Sequence, residues 1–284
     1  ERARLRWFDE QILAVESQFN ASHSDWDAEQ RHWEKQVLQK IRGAIQETED
    51  REIELGEWYS LGPFTEQPHY RLLRRDFGLE GQPVNVDAEV RFNDHRRWQV
   101  HRWRERVDWS DGQLFDLPGD AAATYLYRNI NVRQEEEVVL LLNSAFGWKI
   151  FLNQSEVFQV QDHREPSPDQ YRIPLKLRRG DNELVCKVIN YGGLYRFGAA
   201  IRPTERCRVM PPPSLQDVIR LPPADRTMEQ VQNLRCFFRA SAAAHPDLRN
   251  LLHQRATIHE ERFKFVSTIA TAMVMRESTI PPDS

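Results

Sequence analysis

The stretch "YRIPLKLRRGDNELVCKVIN" (residues 171–190) decides the fold class. Two strand-length segments, 171–177 and 183–190, are rich in branched residues and lie on either side of the turn "RRGDN" (178–182). Gly180 supplies the positive φ that a turn of this kind requires. The stretch therefore predicts two β-strands joined by a turn.

Similar segments continue in both directions along the chain. They are "YLYRNINV" (125–132), "EVVLLLN" (137–143), "GWKIFLN" (147–153) and "LYRFGAAI" (194–201), with turn residues between them. No helical pattern interrupts the series, which favours an antiparallel sandwich over a parallel sheet. We therefore predict an antiparallel β-sandwich over residues 52–204. The stretch 64–109 is harder to assign, and both further strands and long loops fit it.

Helical periodicity marks the first fifty residues. One apolar stripe consists of Leu5, Phe8, Ile12, Val15 and Phe19, and a second consists of Trp33, Val37, Ile41 and Ile45. "NASHS" separates the stripes, and Ser24 with Asp27 offers an N-terminal cap for the second helix. Two antiparallel helices and one long kinked helix fit equally well. The stripes could pack on the sandwich or on a neighbouring domain.

Helix returns after a Pro-rich segment, residues 202–225, which we interpret as an ordered surface linker. Thr227 and Gln230 form a capping box for a helix. Its apolar face would contain Met228, Val231, Leu234 and Phe238. Pro246 suits a further helix, whose apolar side would contain Leu248, Leu251, Leu252 and Ile258. The predicted fold is mainly β with flanking α: a helical segment (1–51), the sandwich (52–204), and a linker with a helical segment (205–284).

The composition is typical of a globular protein: 40% of the residues are hydrophobic, 29% are charged, and the mean hydropathy is −0.69. No run approaches the ~20 apolar residues that cross a bilayer. The net charge of −4 gives no electrostatic signature of nucleic-acid binding. The chain starts at Glu1 without a signal-like segment, so we expect a mature or excised piece of a longer protein.

Signatures of catalysis and of metal binding are missing from the sequence. It contains no G-x-S-x-G, no Gly-rich phosphate loop, no H-E-x-x-H and no C-x-x-C. His253 and His259 lie six residues apart, which is not a metal-ligand spacing on a helix. We predict neither a metal site nor a cofactor. Cys186, Cys207 and Cys236 could form one disulfide and one free thiol, or remain three buried thiols.

Four carboxylates in "DWSDGQLFDLPGD" (108–120) could serve a glycan-processing enzyme, which needs two acids around the scissile bond. They are Asp108, Asp111, Asp116 and Asp120. The same residues are common in turns, and we favour that interpretation.

The segment "HRRWQVHRWRERVDW" (95–109) interleaves basic and aromatic residues, as platforms for single-stranded nucleic acid do. At period two, Trp98, Val100 and Arg102 face one way and Gln99, His101 and Trp103 the other. We favour an edge strand with solvated arginines and predict no nucleic-acid partner.

Exposed aromatic and amide groups raise the possibility of a sugar-binding site. A sugar presents a C–H face that stacks on Trp or Tyr, and hydroxyls that pair with amide, carboxylate or guanidinium groups. The candidate residues in or beside turns are Trp148, Asn153, Arg164, Tyr191, Tyr195 and Arg196. The alternative for Trp148 is a place in the core, because it begins an apolar strand.

About eighty residues, from "YLYRNINV" to "RFGAAI", resemble the galactose-binding-like jelly-roll modules attached to glycoside hydrolases and other bacterial extracellular proteins. The pattern L-x-x-G-x-N-x-L-x-x-K-x-x-N matches Gly180, Asn182, Leu184, Lys187 and Asn190. The hairpin "SAFGWKIFLNQ" (144–154) departs from the family form, because it lacks the acidic pair and the turn glycine. The resemblance implies a jelly-roll-like sandwich that binds carbohydrate.

A second resemblance rests on "TAMVMRES" (271–278), with "WYSLGPF" (58–64) and the Trp33-Glu34 helix upstream. These stretches look like planctomycete-type multidomain proteins, which combine a cytochrome c-like domain with conserved domains of unknown function. This resemblance implies a location in the cell envelope, periplasm or extracellular space, with the haem domain outside this chain.

The leading function hypothesis is a non-catalytic module that binds carbohydrate or another extracellular ligand within a larger protein. The alternative is a structural or interaction module that holds other domains or chains in place, and a glycan-processing enzyme comes third.

Overall fold

A computed structural model describes residues 1–43, 52–66, 69–93, 98–144, 147–161, 171–191, 195–203 and 208–242, together with His245, Asp247, Leu248, Asn250, Leu251, Gln254, Thr257, Ile258, Glu261, Arg262 and Phe265. Several predicted features lie outside this part of the chain: Ile45, Arg164, Cys207, Pro246, Leu252, His253, His259 and "TAMVMRES".

The helices are α1 (Arg2–Asn20), α2 (Ser24–Ile41), α3 (Pro213–Arg220) and α4 (Met228–Phe237). The strands are β1 (Glu52–Phe64), β2 (Glu89–Asn93), β3 (Trp98–Arg102), β4 (Arg104–Arg106), β5 (Phe115–Asp116), β6 (Ala123–Val132), β7 (Glu136–Ser144), β8 (Gly147–Leu152), β9 (Ser155–Gln161), β10 (Tyr171–Leu177), β11 (Gly180–Ile189), β12 (Arg196–Pro203) and β13 (Arg208–Met210). The predicted class, mainly β with flanking α, is confirmed.

Two sheets face each other across the main core. The larger sheet has the order β13-β1-β6-β11-β8-β9, with β4 also paired to β1, and the smaller has the order β10-β7-β12-β5. Strands β2 and β3 form a separate ribbon. The strand pairs are antiparallel except β1 with β13. All six strands predicted from the sequence are present.

The turn "RRGDN" carries the chain from one sheet to the other, because β10 pairs with β7 whereas β11 lies between β6 and β8. Asn182, which is fully buried, holds this crossing. Its Nδ2 donates to the carbonyl oxygens of Arg178 (2.8 Å) and Gly180 (3.0 Å), and its Oδ1 accepts from the backbone N–H of Arg178 (3.0 Å). One amide side chain thus closes the turn from both ends.

The predicted hairpin at "GWKIFLNQSEVF" is confirmed as β8 paired with β9. Asn153 and Gln154 have φ values of 51° and 67°, the conformation expected for a two-residue hairpin turn with both central residues at positive φ.

The N-terminal segment is two helices rather than one kinked helix, since α1 ends at Asn20 and α2 begins at Ser24. The predicted cap is wrong by one residue: His23 occupies the cap position without a side-chain bond, and Ser24 is the first helical residue. The Ser24 hydroxyl instead donates to the neighbouring Asp25 (3.1 Å).

The segment 202–225 is not a surface linker. Residues 208–210 add β13 to the large sheet beside β1, and the α3 residues Leu215, Val218 and Ile219 are buried. The capping box of Thr227 and Gln230 is confirmed. Met228 was expected on the apolar face of α4 but is 90% exposed.

Helices and sandwich share one core. Trp33 and Val37 of α2 and Phe237 of α4 belong to the same buried cluster as Leu126 of β6 and Leu140 of β7. A smaller cluster joins α1 to the C-terminal segment through Val15, Phe19, Trp26, Leu248 and Leu251.

Among the described residues, no helix is long and apolar enough to cross a membrane. The described cysteines, Cys186 and Cys236, are both buried and are not joined to each other in a disulfide.

Part of the outer face of the large sheet is covered by residues 69–93, which we call the covering segment. Phe77 packs there against Tyr125 and Val185. Glu80 of the covering segment accepts hydrogen bonds from Tyr125 (3.0 Å), Lys149 (2.9 Å) and Lys187 (2.5 Å). Lys187, the lysine of the pattern L-x-x-G-x-N-x-L-x-x-K-x-x-N, therefore links the covering segment to the sheet.

A buried ion pair links β6 to the loop before β5. Arg128 and Asp111 have side chains only 1% exposed, and the guanidinium donates to Asp111 Oδ1 at 2.7 Å. Trp58 Nε1 donates to the same carboxylate (3.3 Å), and its ring lies 5.0 Å from the guanidinium carbon. The carboxylate thus neutralises a cation that has no access to water.

We expect Asp111→Ala to lower the free energy of unfolding by about 3–5 kcal/mol, because it leaves the Arg128 charge buried and uncompensated. Urea unfolding followed by circular dichroism measures the change. The matched control is Asp116→Ala, which breaks the exposed Arg196 pair (2.8 Å) and should cost no more than about 1 kcal/mol. Equal losses in the two variants would contradict this assignment.

Candidate functional site

A cleft of about 480 Å³ lies on the outer face of the large sheet, beside the covered part and against α2 and α3. We call it the amide cleft. Its polar lining residues are Lys40, Glu54, Asn129, Asn131, Asp181 and Gln216, and Ile41, Leu55, Gly56, Met210 and Pro213 complete it. Carboxamide and carboxylate groups therefore dominate its polar surface.

The period of strand β6 places the two asparagines in the cleft. Arg128, Ile130 and Val132 are buried, whereas Asn129 and Asn131 point to the other side and are half-buried. Along one row across the sheet, Asn131 lies opposite Glu54 of β1 and Asp181 of β11. Three strands thus contribute one polar side chain each to the same line.

Asp181 joins the two asparagines. Its Oδ1 accepts from Asn129 Nδ2 (3.0 Å) and Asn131 Nδ2 (2.9 Å). These bonds hold the pKa of Asp181 below its usual range, because they favour the ionised carboxylate. Each amide keeps one further N–H proton, so the array can both donate and accept.

The side-chain carbonyl oxygen of Asn129, Oδ1, is an unsatisfied acceptor. It is shielded from solvent, and no donor of the described residues lies within hydrogen-bonding distance. A buried polar atom without a partner costs about 1–3 kcal/mol. Groups of this kind are candidates for a functional role.

A β-bulge shapes this side of the cleft. The pairing of β1 with β6 shifts by one residue between Leu55 and Trp58. A Cβ on Gly56, within the bulge, would lie 3.1 Å from the backbone carbonyl oxygen of Asn129, so a larger residue would press on the strand that carries Asn129. The buried Arg128 fixes the bulge, because its Nε donates to the Gly56 carbonyl (2.8 Å).

The charges of the cleft are largely negative. Glu54 and Asp181 are its carboxylates, and Lys40 is its cation. The Lys40 ammonium is already engaged, since it forms an ion pair with the buried Glu52. Among the lining residues that the structure describes, the cleft therefore offers no free lysine or arginine to an anionic ligand.

A second depression, of about 540 Å³, lies between β1, β4 and the helices α3 and α4. Its acidic lining residues are Glu57, Glu105, Asp108, Asp217 and Glu229, and we call it the acidic groove. Glu57 is buried and accepts from the backbone N–H (2.7 Å) and hydroxyl (3.1 Å) of Ser214. Burial raises the pKa of Glu57, and the nearby Glu105 adds to the increase.

Two of the predicted sugar contacts are wrong. Trp148 is only 2% exposed and packs inside the sandwich against Phe158 and Tyr171, so its ring cannot stack on a ligand. Tyr195 is 4% exposed, and its hydroxyl donates to the carbonyl of Val188 (2.8 Å). Both aromatics fill the core, as an apolar strand context favours.

The remaining predicted contacts are dispersed. Asn153 shapes the β8–β9 turn, since its Oδ1 accepts from the N–H of Glu183 (3.0 Å) and its Nδ2 donates to Asn182 (3.0 Å). Tyr191 is half-buried against the cluster under the covering segment. Arg196 is paired with Asp116. The structure does not bring these residues to one surface.

Three of the aspartates considered for catalysis lie in different surroundings. Asp111 is buried against Arg128, Asp116 is paired with Arg196 at the surface, and Asp108 lines the acidic groove.

The predicted alternation in "HRRWQVHRWRERVDW" is confirmed: Trp98 and Val100 are exposed, and Trp103 is buried.

The sequence reasoning missed Asn129, Asn131 and Asp181. The available signal was the alternation of two asparagines with apolar residues in "YLYRNINV", which indicates a polar outer face. For Asp181 the sequence indicates only a place in the turn "RRGDN".

No protein-family model matches the chain, and no curated protein matches it significantly. Among solved structures, the PA14 domain of the antifreeze protein MpAFP is 12% identical over 29% of this chain and 44% of that chain, with a TM-score of 0.23. An anti-sigma factor domain-containing protein is 11% identical over 57% and 46%, with a TM-score of 0.32. A family 35 carbohydrate-binding module from an environmental isolate is 14% identical over 34% and 84%, with a TM-score of 0.23.

The chain thus spans less than half the length of the first two of these structures. At TM-scores this low we assign neither a family nor a function from the likenesses.

The raised pKa of Glu57 predicts a pH effect on stability. The folded state binds the Glu57 proton more tightly than the unfolded state, so this group's contribution is present below its unfolded pKa and is lost as pH rises through its folded pKa. Glu57→Gln should therefore flatten the fall in the free energy of unfolding from about pH 4.5 upward. Urea unfolding at several pH values measures it. The exposed Glu137→Gln is the control, and an unchanged slope in Glu57→Gln would refute the prediction.

Proposed function

We propose that the β-sandwich is a non-catalytic module that binds a carbohydrate ligand in the amide cleft. The observation that carries this proposal is the array of Asn129, Asn131 and Asp181, in which two carboxamide groups and one carboxylate are joined by hydrogen bonds along the wall of the cleft. Sugar hydroxyls both donate and accept, so they suit a cleft that offers amide N–H groups beside carboxylate and carbonyl oxygens.

The shape of the cleft supports a small ligand. Its volume of about 480 Å³ falls within the range of ligand pockets, roughly 300–1,000 Å³. The floor is a strand surface held by its neighbours, and sites on strands are more precise than sites on loops. A preformed floor lowers the ordering cost of binding.

The charges favour a neutral ligand. Glu54 and Asp181 would repel a uronic acid or a sulfate, and Lys40 is occupied by Glu52. We therefore assign neutral sugars as the ligand class of this cleft. No aromatic side chain is among its described lining residues, so hydrogen bonds rather than stacking would carry the affinity.

The resemblance noted in the sequence extends the proposal to a module of a larger protein in the cell envelope or outside the cell. The alternative is a module that holds other domains or chains. The acidic groove favours this alternative, since Glu105, Asp108 and Asp217 would attract a basic partner surface.

Binding of neutral oligosaccharides of galactose, mannose, xylose and glucose, measured by isothermal titration calorimetry, tests the proposal. We expect at least one to bind. Asp181→Asn should weaken it about tenfold or more, because hydrogen bonds to a charged group are worth about 1.5–3 kcal/mol. Asn131→Ala should weaken it several-fold, because a hydrogen bond between neutral groups is worth about 0.5–1.5 kcal/mol.

The control is Gln39→Ala, which removes an exposed amide from α2 outside the cleft. Its affinity should equal that of the original protein, and all variants should keep the same unfolding temperature. No binding by any of the four sugars, or equal affinity in Asp181→Asn, would overturn the proposal.

A further inference from the structure

The ribbon of β2 and β3 presents an outer face that the amide cleft does not use. That face carries Glu89, Arg91, Asn93, Trp98, Val100 and Arg102. Trp98 is 69% exposed and Val100 is 54% exposed. The opposite side of the ribbon packs inward through Phe92 and His101. Trp98 and Val100, two residues apart on one strand, therefore form an exposed apolar pair among polar side chains.

The strand register brings basic groups next to this Trp. Arg91 lies directly opposite Val100, whose neighbours along the same face of β3 are Trp98 and Arg102. Trp98 and Arg102 are therefore both diagonal neighbours of Arg91, at roughly 7–8 Å. Trp98 and Arg102 are four residues apart, or roughly 13 Å. The face thus carries one indole group and two guanidinium groups, one on each strand.

The carboxylate of Glu89 is already paired with these guanidinium groups. Glu89 accepts a hydrogen bond from Arg102 Nε at 2.9 Å, and its other oxygen lies 3.7 Å from Arg91. The arginine side chains are 72% and 75% exposed, so water competes for them. Among the described residues of the ribbon face, two cations thus share one anion, which leaves an excess of one positive charge there.

We propose that this face, which we call the ribbon face, binds an extended polysaccharide that contains uronic acids. The ring of Trp98 stacks on the C–H face of one sugar. The guanidinium groups of Arg91 and Arg102 hold carboxylates of the chain, since their planar donors match carboxylate geometry. Glu89 occupies the place of a ligand carboxylate and is displaced from it.

This surface is chemically distinct from the amide cleft. The cleft lacks a free cation among its lining residues, whereas the ribbon face offers arginines beside an exposed indole. The inference does not depend on the proposed function, because the residues of the two surfaces do not overlap.

A single-stranded nucleic acid fits the ribbon face less well. Such ligands stack successive bases on several aromatic rings. The other Trp of the segment, Trp103, is buried, and Phe92 faces inward, so Trp98 is the one exposed aromatic ring of the described ribbon. One ring with flanking guanidinium groups suits a sugar chain with carboxylates.

Affinity electrophoresis of the full chain in polygalacturonate tests the inference, with neutral dextran, heparin and a thymidine oligonucleotide as comparison probes. Polygalacturonate should retard the protein, and added salt should weaken the effect. Arg91→Ala/Arg102→Ala should lower the affinity about tenfold or more. Trp98→Ala should lower it up to about tenfold.

Glu89→Gln distinguishes this mechanism from general charge attraction. It frees both arginines, so it should raise the affinity for polygalacturonate several-fold. Arg172→Ala/Arg179→Ala removes the same charge from exposed positions elsewhere, and Trp7→Ala removes an exposed Trp from α1. Neither control should change the affinity more than about twofold.

The inference fails if polygalacturonate does not retard the protein, or if heparin or the oligonucleotide binds and polygalacturonate does not. It also fails if the control variants lose as much affinity as the ribbon-face variants. Loss of neutral-sugar binding in Asp181→Asn with polygalacturonate binding intact would support two separate surfaces. Loss of both in that variant would contradict it.

Discussion

The buried ion pair of Arg128 and Asp111 is the interaction on which the rest of the structure depends. Two charges without access to water are tolerated only when they neutralise each other and satisfy their remaining hydrogen bonds. Asp111 meets this condition with Arg128 and Trp58, and its second oxygen lies 3.5 Å from the hydroxyl of Ser241, just beyond α4. Arg128 meets it by also donating to Gly56. The pair therefore ties together the sandwich, the loop before β5 and the C-terminal helical segment.

The same arginine connects the core to the candidate site. Its bond to the Gly56 carbonyl holds the bulge in β1, and the bulge brings Gly56 against the backbone of Asn129. The outer face of the large sheet is then divided in two. The covering segment, held by Glu80, buries one part, and the amide cleft opens on the other. The polar row across the three strands lies in a cleft because residues of α2 and α3 form its side walls.

The surfaces of the molecule differ in local charge, and the net charge of −4 does not show this difference. Carboxylates line the amide cleft and the acidic groove, whereas two arginines share one carboxylate on the ribbon face. Exposed charges more than about 10 Å apart are largely screened at physiological salt, so each surface presents its own local charge to an approaching molecule. A neutral sugar, a basic partner and a uronate polymer are compatible with different parts of one chain.

The sequence by itself determined the β-class, six strands, the β8–β9 turn and the α4 capping box, because these depend on local periodicity and turn chemistry. It also indicated the alternation of Trp98 and Val100. It could not decide whether Trp148 and Tyr195 were exposed, because an aromatic residue in an apolar strand has the same sequence pattern in a core and at an open edge. The meeting of Asn129, Asn131 and Asp181, and the pairing of Arg128 with Asp111, were decided only by the tertiary structure. Strand register and helix packing bring together residues that lie 17 to 52 positions apart, and no local pattern encodes such contacts.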